Sequence, residues 1–190
     1  MGPLGSGSPF GQGRLAQASD QNMVTNDLPN NFQLSETILQ LGLIGTGVGL
    51  VIVDHGSRRQ ESNDGLLDVA RRFAAREGLA NVQPAHMELA EPSVETAFRR
   101  CVDGGAKFVV VMPFFLLPGR HWDQDIPQLA AAAAGQFPGV KYLVTAPLGT
   151  SELILYVMAS QIDHCLRHAL EDQPDCDLCR GTTKCQTLGG

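Results

Sequence analysis

The amino-acid sequence predicts an α/β protein: a four-stranded, doubly wound parallel sheet with helices on both faces. Three observations predict this fold. Short apolar runs rich in β-branched residues recur along the chain, as is typical of strands buried on both faces. Segments of helical periodicity separate these runs, and this alternation favours parallel pairing with helices packed on the sheet. The chain has 190 residues, 43% of them hydrophobic, which is enough for one domain with a core.

Three regions of the chain differ in composition. Residues 1–46 are mostly polar and glycine-rich without periodicity, and we interpret them as a tag, leader or disordered linker. Residues 47–171 carry the alternating pattern and form the predicted domain. Residues 172–190 form a cysteine-rich tail.

The first half of the domain begins with a buried strand over residues 48–53. A helix over residues 62–77 follows, and Ser62 or Asn63 is a candidate N-cap because both side chains can accept a backbone hydrogen bond. Residues 82–89 are predicted to form the second strand, which is more mixed in character.

The middle of the domain repeats this order. Ser93 is the expected N-cap of the next helix, which Gly104 ends. Residues 107–112 form a third buried strand, and residues 114–122 are an apolar segment broken by proline and glycine, predicted to be a loop above the sheet.

The last part of the domain contains one more strand between two helices. Residues 123–137 are rich in alanine, the strongest helix former, and are predicted to be helical. Residues 140–145 form the fourth strand and residues 151–170 the final helix. The apolar stripe expected to face inward from that helix consists of Leu153, Ile154, Val157, Ile162, Leu166 and Leu170.

Composition argues against two classes of partner. The formal charge is −6, so the basic face that nucleic-acid binding normally needs is not expected. No run of apolar residues is long enough to cross a bilayer, so no membrane role is predicted.

Polar residues that can bind metal follow three successive strands. His55 comes after the first, Glu88 after the second and His121 after the third. Because the carboxyl ends of parallel strands share one edge, we expect these side chains to converge there. Two imidazoles and a carboxylate suit iron, cobalt, nickel or zinc. The alternative is that each histidine is merely a solvated or capping residue.

Arginines accompany these histidines in an otherwise acidic chain. Arg58, Arg59 and Arg120 lie next to His55 or His121 in sequence. Guanidinium groups bind carboxylates in a bidentate way, so a polycarboxylate substrate would be drawn to this edge. The alternative is that they are ordinary surface arginines.

The cysteines cluster near the C-terminus. Cys176 and Cys179 form a C-x2-C pair, Cys185 follows, and Cys165 on the last helix is the nearest fourth ligand. Such a set binds zinc or an iron–sulfur cluster, although a disulfide within the tail is an alternative. Cys101 falls on an apolar helix face and is expected to be a buried small hydrophobe.

The motifs resemble those of a known family. They are Asp54-His55-Gly56-Ser57-Arg58, Glu88-Leu89-Ala90-Glu91-Pro92-Ser93, Met112-Pro113-Phe114-Phe115-Leu116, Gly119-Arg120-His121-Trp122 and Asp125-Ile126-Pro127. In this order they are similar to the class II chelatases, and most closely to the short, single-domain sirohydrochlorin ferrochelatases of plants and algae. The resemblance covers about residues 47 to 188.

This resemblance implies insertion of Fe²⁺ into sirohydrochlorin to give sirohaem, by a homodimer in the chloroplast stroma. It implies that His55 and His121 handle the metal and that Glu88 is the assisting carboxylate, with Glu91 close enough to compete. It favours a [2Fe–2S] cluster over zinc in the tail. The expected substrate-binding residues are Ser57, Arg58, Arg59, Arg120 and Trp122.

Two other functions remain open at this point. A cobalt or nickel chelatase of a related tetrapyrrole pathway would use the same ligands, because histidine and carboxylate accept all three ions. A non-enzymatic carrier of metal or tetrapyrrole would also need these residues. The apolar residues of the loop, Phe114, Phe115, Leu116 and Leu117, either cover the macrocycle or pack in the core.

Overall fold

The computed structural model describes residues 33–43, 47–171, 174 and 180–182. The tail cysteines Cys176, Cys179 and Cys185 lie outside these residues, so the structure does not test what they bind. In the described part, no helix is both long and apolar enough to span a membrane. Its elements are α1 (Leu34–Gln40), β1 (Val48–Asp54), α2 (Gln60–Glu77), β2 (Val82–His86), α3 (Val94–Asp103), β3 (Phe108–Pro113), a π-helical turn (His121–Asp125), α4 (Ile126–Ala134), β4 (Lys141–Val144) and α5 (Glu152–Glu171).

The four strands form one parallel sheet, as the sequence predicted, and their order in the sheet is β2-β1-β3-β4. The register places the ends of three strands in one row, because Asp54 pairs with His86 and Val53 pairs with Pro113. The loops that follow β1, β2 and β3 therefore begin at the same edge of the sheet. This edge is where a doubly wound fold places its ligands.

Alternating side chains of the strands build a core on each face of the sheet. Val51 and Val53 of β1 pack in one cluster with residues of α3 and α4, among them the buried Phe98 and Ile126. Leu50 and Ile52 point to the other face, where Leu66 and Ala70 of α2 cover them. Burying each large apolar side chain contributes about 1.5–3 kcal/mol, so the cores on both faces stabilise the sheet that carries the strand ends.

Helix α5 departs from the prediction, since its apolar stripe does not face inward. The helix has no buried residue. Leu143, on the neighbouring edge strand β4, is also 41% exposed. The helix is amphipathic, but β4 is an edge strand of four residues and offers the apolar stripe little sheet surface to cover. The exposed members of the stripe are Leu153, Val157, Ile162, Leu166 and Leu170.

Several boundaries also differ from the prediction. Helix α2 begins at Gln60, and the proposed cap Asn63 is instead a buried residue inside it. Its side-chain amide accepts from Ser57 N at 2.9 Å and donates to Ser57 O at 2.9 Å, which fixes the loop after β1. Helix α1 was not predicted and lies within the segment interpreted as leader; its Leu34 N donates to Glu77 Oε2 at 2.8 Å.

Candidate functional site

The loops after β1 and β2 bring His55 and Glu88 into contact. The distance from His55 Nε2 to Glu88 Oε1 is 2.9 Å. The two backbones are joined as well, since Glu88 N donates to His55 O at 3.1 Å. Gly56 makes this approach possible: its φ is +83°, and a Cβ there would lie 2.0 Å from Glu88 O. Glycine alone tolerates both conditions.

His121 completes the group from the π-helical turn after β3. Its ring centroid lies 5.2 Å from that of His55, with the ring planes at 71°. Its Nδ1 is 2.8 Å from Asp125 Oδ2. An ionised carboxylate only accepts hydrogen bonds, so Nδ1 carries the proton and Nε2 keeps its lone pair. Asp125 thus fixes the tautomer that can bind a metal through Nε2.

The ring of His55 is held on both sides. Its Nδ1 lies 3.2 Å from Gly56 O, and its Nε2 faces Glu88. Within the described ranges, no group of three or more His, Cys, Asp or Glu side chains is arranged to hold a metal ion. Coordination of one ion by all three residues therefore requires their side chains to rearrange, including the 2.9 Å contact between His55 Nε2 and Glu88 Oε1.

A cavity of about 620 Å³ opens beside His121 and Glu88. This volume falls in the range typical of small-molecule sites. Arg120 lies at its exposed rim, with Nε 3.8 Å from Asp125 Oδ1. The lining residues are Met87, Glu88, Arg120, His121, Asp125, Gln128, Leu129 and Ala132.

The other expected substrate residues lie outside this lining. Ser57 Oγ accepts from Arg59 N at 3.0 Å, which shapes the loop, while the side chains of Arg58 and Arg59 are exposed. Trp122 is half-buried, and its Nε1 donates to Thr145 O at 2.9 Å. Only Arg120 of the expected set borders the cavity.

The apolar loop after β3 is largely exposed. Phe114 is 40% exposed, Leu116 54% and Leu117 63%. Core packing, the alternative interpretation of Phe114 and Leu116, is therefore wrong. Phe115 does pack against the core, and its ring centroid lies 6.2 Å from that of His121.

Two cysteines fall within the described residues. Cys101 is fully buried on α3, as expected for a small hydrophobe, and burial raises the pKa of its thiol to about 12. Cys165 is half-buried on α5, where Gln161 Nε2 lies 3.4 Å from its Sγ.

Two residues of the site, Asp125 and the lining residue Gln128, were not predicted from the sequence as functional. The signal for Asp125 was available, because His121 and Asp125 have the i,i+4 spacing that brings side chains together on a helical turn. Gln128 gave no such signal, since a single exposed glutamine on a predicted helix is ordinary.

Fold and site together define an α/β protein with a histidine–carboxylate site at the carboxyl edge of its sheet. Residues 49–165 match the sequence profile of the CbiX family, and the chain belongs to that family. It is 53% identical over 155 residues to the chloroplastic sirohydrochlorin ferrochelatase of Arabidopsis thaliana, which covers 82% of this chain and 68% of the relative.

Solved structures share the fold. One is the sirohydrochlorin chelatase SirB from Bacillus subtilis subspecies spizizenii in complex with cobalt, with a TM-score of 0.59 and 27% identity; the match covers 62% of this chain and 50% of SirB. The chain thus spans about half the length of SirB. Another is a CbiX protein from Marinobacter aquaeolei VT8, with a TM-score of 0.56 and 25% identity, covering 64% of this chain and 99% of the other.

Proposed function

We propose that this chain inserts Fe²⁺ into sirohydrochlorin to form sirohaem. One observation carries the proposal: His55, Glu88 and His121 meet beside a cavity, with His55 and Glu88 2.9 Å apart and the imidazole centroids 5.2 Å apart. Membership of the CbiX family and the 53% identity to a sirohydrochlorin ferrochelatase support the same reaction.

Metal insertion exchanges one dication for two pyrrole protons, so the site must both hold the ion and accept protons. The lone pair of His121 Nε2, fixed by Asp125, is suited to the incoming Fe²⁺. A proton lies between His55 Nε2 and Glu88 Oε1, and the arriving ion displaces it to solvent and takes its place. As the metal passes to the macrocycle, neutral imidazole and carboxylate groups accept the two pyrrole protons near neutral pH.

The exposed groups around the site suit a large polycarboxylate. Arg58, Arg59 and Arg120 offer guanidinium groups to the peripheral carboxylates. The exposed side chains of Phe114, Leu116 and Leu117 offer apolar surface to the macrocycle. We assign Ser57 the role of holding the loop that carries Arg58 and Arg59. We assign Trp122 a stacking contact with the macrocycle at the edge of the site.

An anaerobic insertion assay with sirohydrochlorin and Fe²⁺ tests this function. We expect His55→Ala and His121→Ala each to lower kcat/KM at least about a hundredfold, because each removes a metal ligand and a proton acceptor. The matched control is His164→Ala, which removes an imidazole from α5. Full activity in both site variants would refute the assignment.

Cobalt is the second candidate metal, favoured by one observation. SirB, which shares this fold, was crystallised in complex with cobalt. Parallel assays with Fe²⁺, Co²⁺ and Ni²⁺ decide between the ions, and faster insertion of Co²⁺ would replace iron in the proposal. A carrier would instead bind metal or tetrapyrrole stoichiometrically without turnover.

We propose further that the active form is a homodimer. Helix α5 has no buried residue in the single chain, and its apolar stripe needs a partner surface. The match to only 50% of SirB supports a second copy that supplies the equivalent of the other half.

For the tail, we propose a [2Fe–2S] cluster held by Cys165, Cys176, Cys179 and Cys185, with zinc as the alternative. Four thiolates suit either group, and the position of Cys165 close to the end of α5 favours a shared site with the tail. Metal insertion moves no electrons, so the cluster is assigned no step. Ultraviolet–visible spectra after anaerobic purification test it; stoichiometric zinc without sulfide-to-iron bands would contradict it.

We place the protein in the chloroplast stroma, because the Arabidopsis relative is a chloroplastic enzyme. Fractionation of the source cells with an antibody against this protein tests the location, and recovery outside the chloroplast fraction would contradict it.

A further inference from the structure

A pair of polar residues, one of them fully buried, lies at the base of the site. Asp54 ends β1, His86 ends β2, and the two are paired in the register of the sheet. His86 Nδ1 lies 2.6 Å from Asp54 Oδ1. The histidine is fully buried, whereas the aspartate side chain is 25% exposed.

The orientation of this pair follows from its chemistry. The same Asp54 oxygen accepts from Gly56 N at 2.9 Å, so the carboxylate acts as an acceptor toward both neighbours. The Nδ1 of His86 therefore carries the proton. Its Nε2 is buried and has no hydrogen-bond partner in the described part of the chain. Placing an imidazole here costs more than placing an apolar side chain, which argues for a role beyond filling space.

The pair lies at the start of the two loops that carry His55 and Glu88. His55 follows Asp54 directly, and Glu88 lies two positions after His86. Backbone bonds continue the connection, since Met87 N donates to Asp54 O at 2.8 Å and Glu88 N to His55 O at 3.1 Å. His86 N also donates to Pro92 O at 2.8 Å, which joins the pair to the start of α3.

We infer that His86 is a positioning residue for metal insertion: by donating to Asp54 it fixes the turn at Gly56 and thereby holds His55 against Glu88. This inference rests on the proposed function. Neither side chain touches the ion or the macrocycle. The pair acts through the geometry of the two residues that do, as groups around metal ligands commonly do.

The test compares two substitutions at His86. His86→Phe fills the space but removes the donor, whereas the side-chain amide of His86→Asn places an N–H on Cγ where the imidazole Nδ1 was. We expect His86→Phe to lower kcat/KM for Fe²⁺ about tenfold to a hundredfold, chiefly through KM for the metal. His86→Asn should recover most of that loss. The control is Phe98→Leu, a substitution in the core cluster formed by α3, α4 and one face of the sheet.

Each outcome of this comparison either supports or overturns the role of His86. Unchanged kinetics in His86→Phe, or an equal loss in His86→Asn, would overturn the inference, and so would the same metal KM effect in Phe98→Leu at matched stability. Should His86→Phe fail to fold, Asp54→Ala replaces it: the same rise in metal KM is expected, and wild-type kinetics would overturn the inference. An inactive wild-type chain would instead refute the proposed function.

Discussion

At the scale of single residues, the two site histidines are held by different means. His121 is oriented by one carboxylate, with Nδ1 2.8 Å from Asp125 Oδ2. His55 is oriented by its own loop and by Glu88. In the proposed reaction, His121 binds the ion first through Nε2, and His55 becomes a ligand only when its contact with Glu88 opens.

Asp125→Asn tests the role of this carboxylate. The amide keeps the shape but removes the charge that fixes the tautomer of His121, so metal affinity should fall about tenfold to a hundredfold. Anaerobic titration with Co²⁺, followed by its visible absorption, measures the affinity. An unchanged affinity would show that Asp125 does not orient the ligand.

Gly56→Ala tests the close approach of the two loops. The added Cβ would lie 2.0 Å from Glu88 O at a φ of +83°, so the loop must shift and insertion activity should fall at least about tenfold. Gly65→Ala is the matched control: it lies inside α2 with nothing within 4 Å of the new Cβ. The control should be about 0.5–1 kcal/mol more stable than the wild type. Wild-type activity in Gly56→Ala would contradict the required geometry.

The sequence predicted that His55, Glu88 and His121 lie near one another, because each follows a strand and strand ends share an edge. It did not reveal Asp54 and His86 as a pair. The sequence shows a polar residue at the end of an apolar strand. Whether Asp54 and His86 are adjacent depends on which strands are neighbours and on their register. Trp122 shows the same limit, since its bond to Thr145 O joins segments that only the folded sheet brings together.

At the scale of elements, the strands and most helices followed from local pattern, whereas the environment of α5 did not. Periodicity reports that a helix has an apolar side, and it does not report what that side meets. The stripe of α5 was expected to pack on its own sheet, yet Val157 is 60% exposed and Ile162 58%. The start of α2 and the end of β2 were also misplaced. Asn63 of α2 binds the backbone of Ser57, and the turn after His86 is held by backbone bonds to Asp54 and His55.

The exposed stripe of α5 predicts the effect of charge on assembly. The double substitution Ile162→Glu and Leu166→Glu places two carboxylates one turn apart on the apolar side of α5, in the proposed dimer interface, and dimer dissociation should become at least about a hundredfold easier. Sedimentation velocity measures the mass. Ser160→Glu, on the exposed polar side of the same helix, should leave the dimer intact. A monomeric wild type, or a dimeric double variant, would contradict the homodimer.

At the scale of the whole molecule, the burial of Cys101 in the core makes the free energy of unfolding depend on pH in the alkaline range. Burial raises the pKa of its thiol from 9.0 to about 12. The folded state keeps this proton while the unfolded state loses it, so the contribution is full below pH 9.0 and declines as pH rises toward about 12.

The corresponding measurement is the free energy of unfolding against pH for the wild type and for Cys101→Ala. The difference between the two proteins should be constant below pH 9.0 and should shrink above it. If the difference in the free energy of unfolding stays constant up to about pH 11, burial does not raise the pKa of the thiol.

We expect His55 and His121 to bind the same ion at the carboxyl edge of the sheet. Anomalous diffraction from crystals loaded with Co²⁺ under anaerobic conditions locates that ion directly. The account predicts one peak between His121 Nε2 and the pair formed by His55 and Glu88, within about 2.0–2.2 Å of the ligating atoms. A peak away from both imidazoles, or separate peaks at each of them, would contradict it.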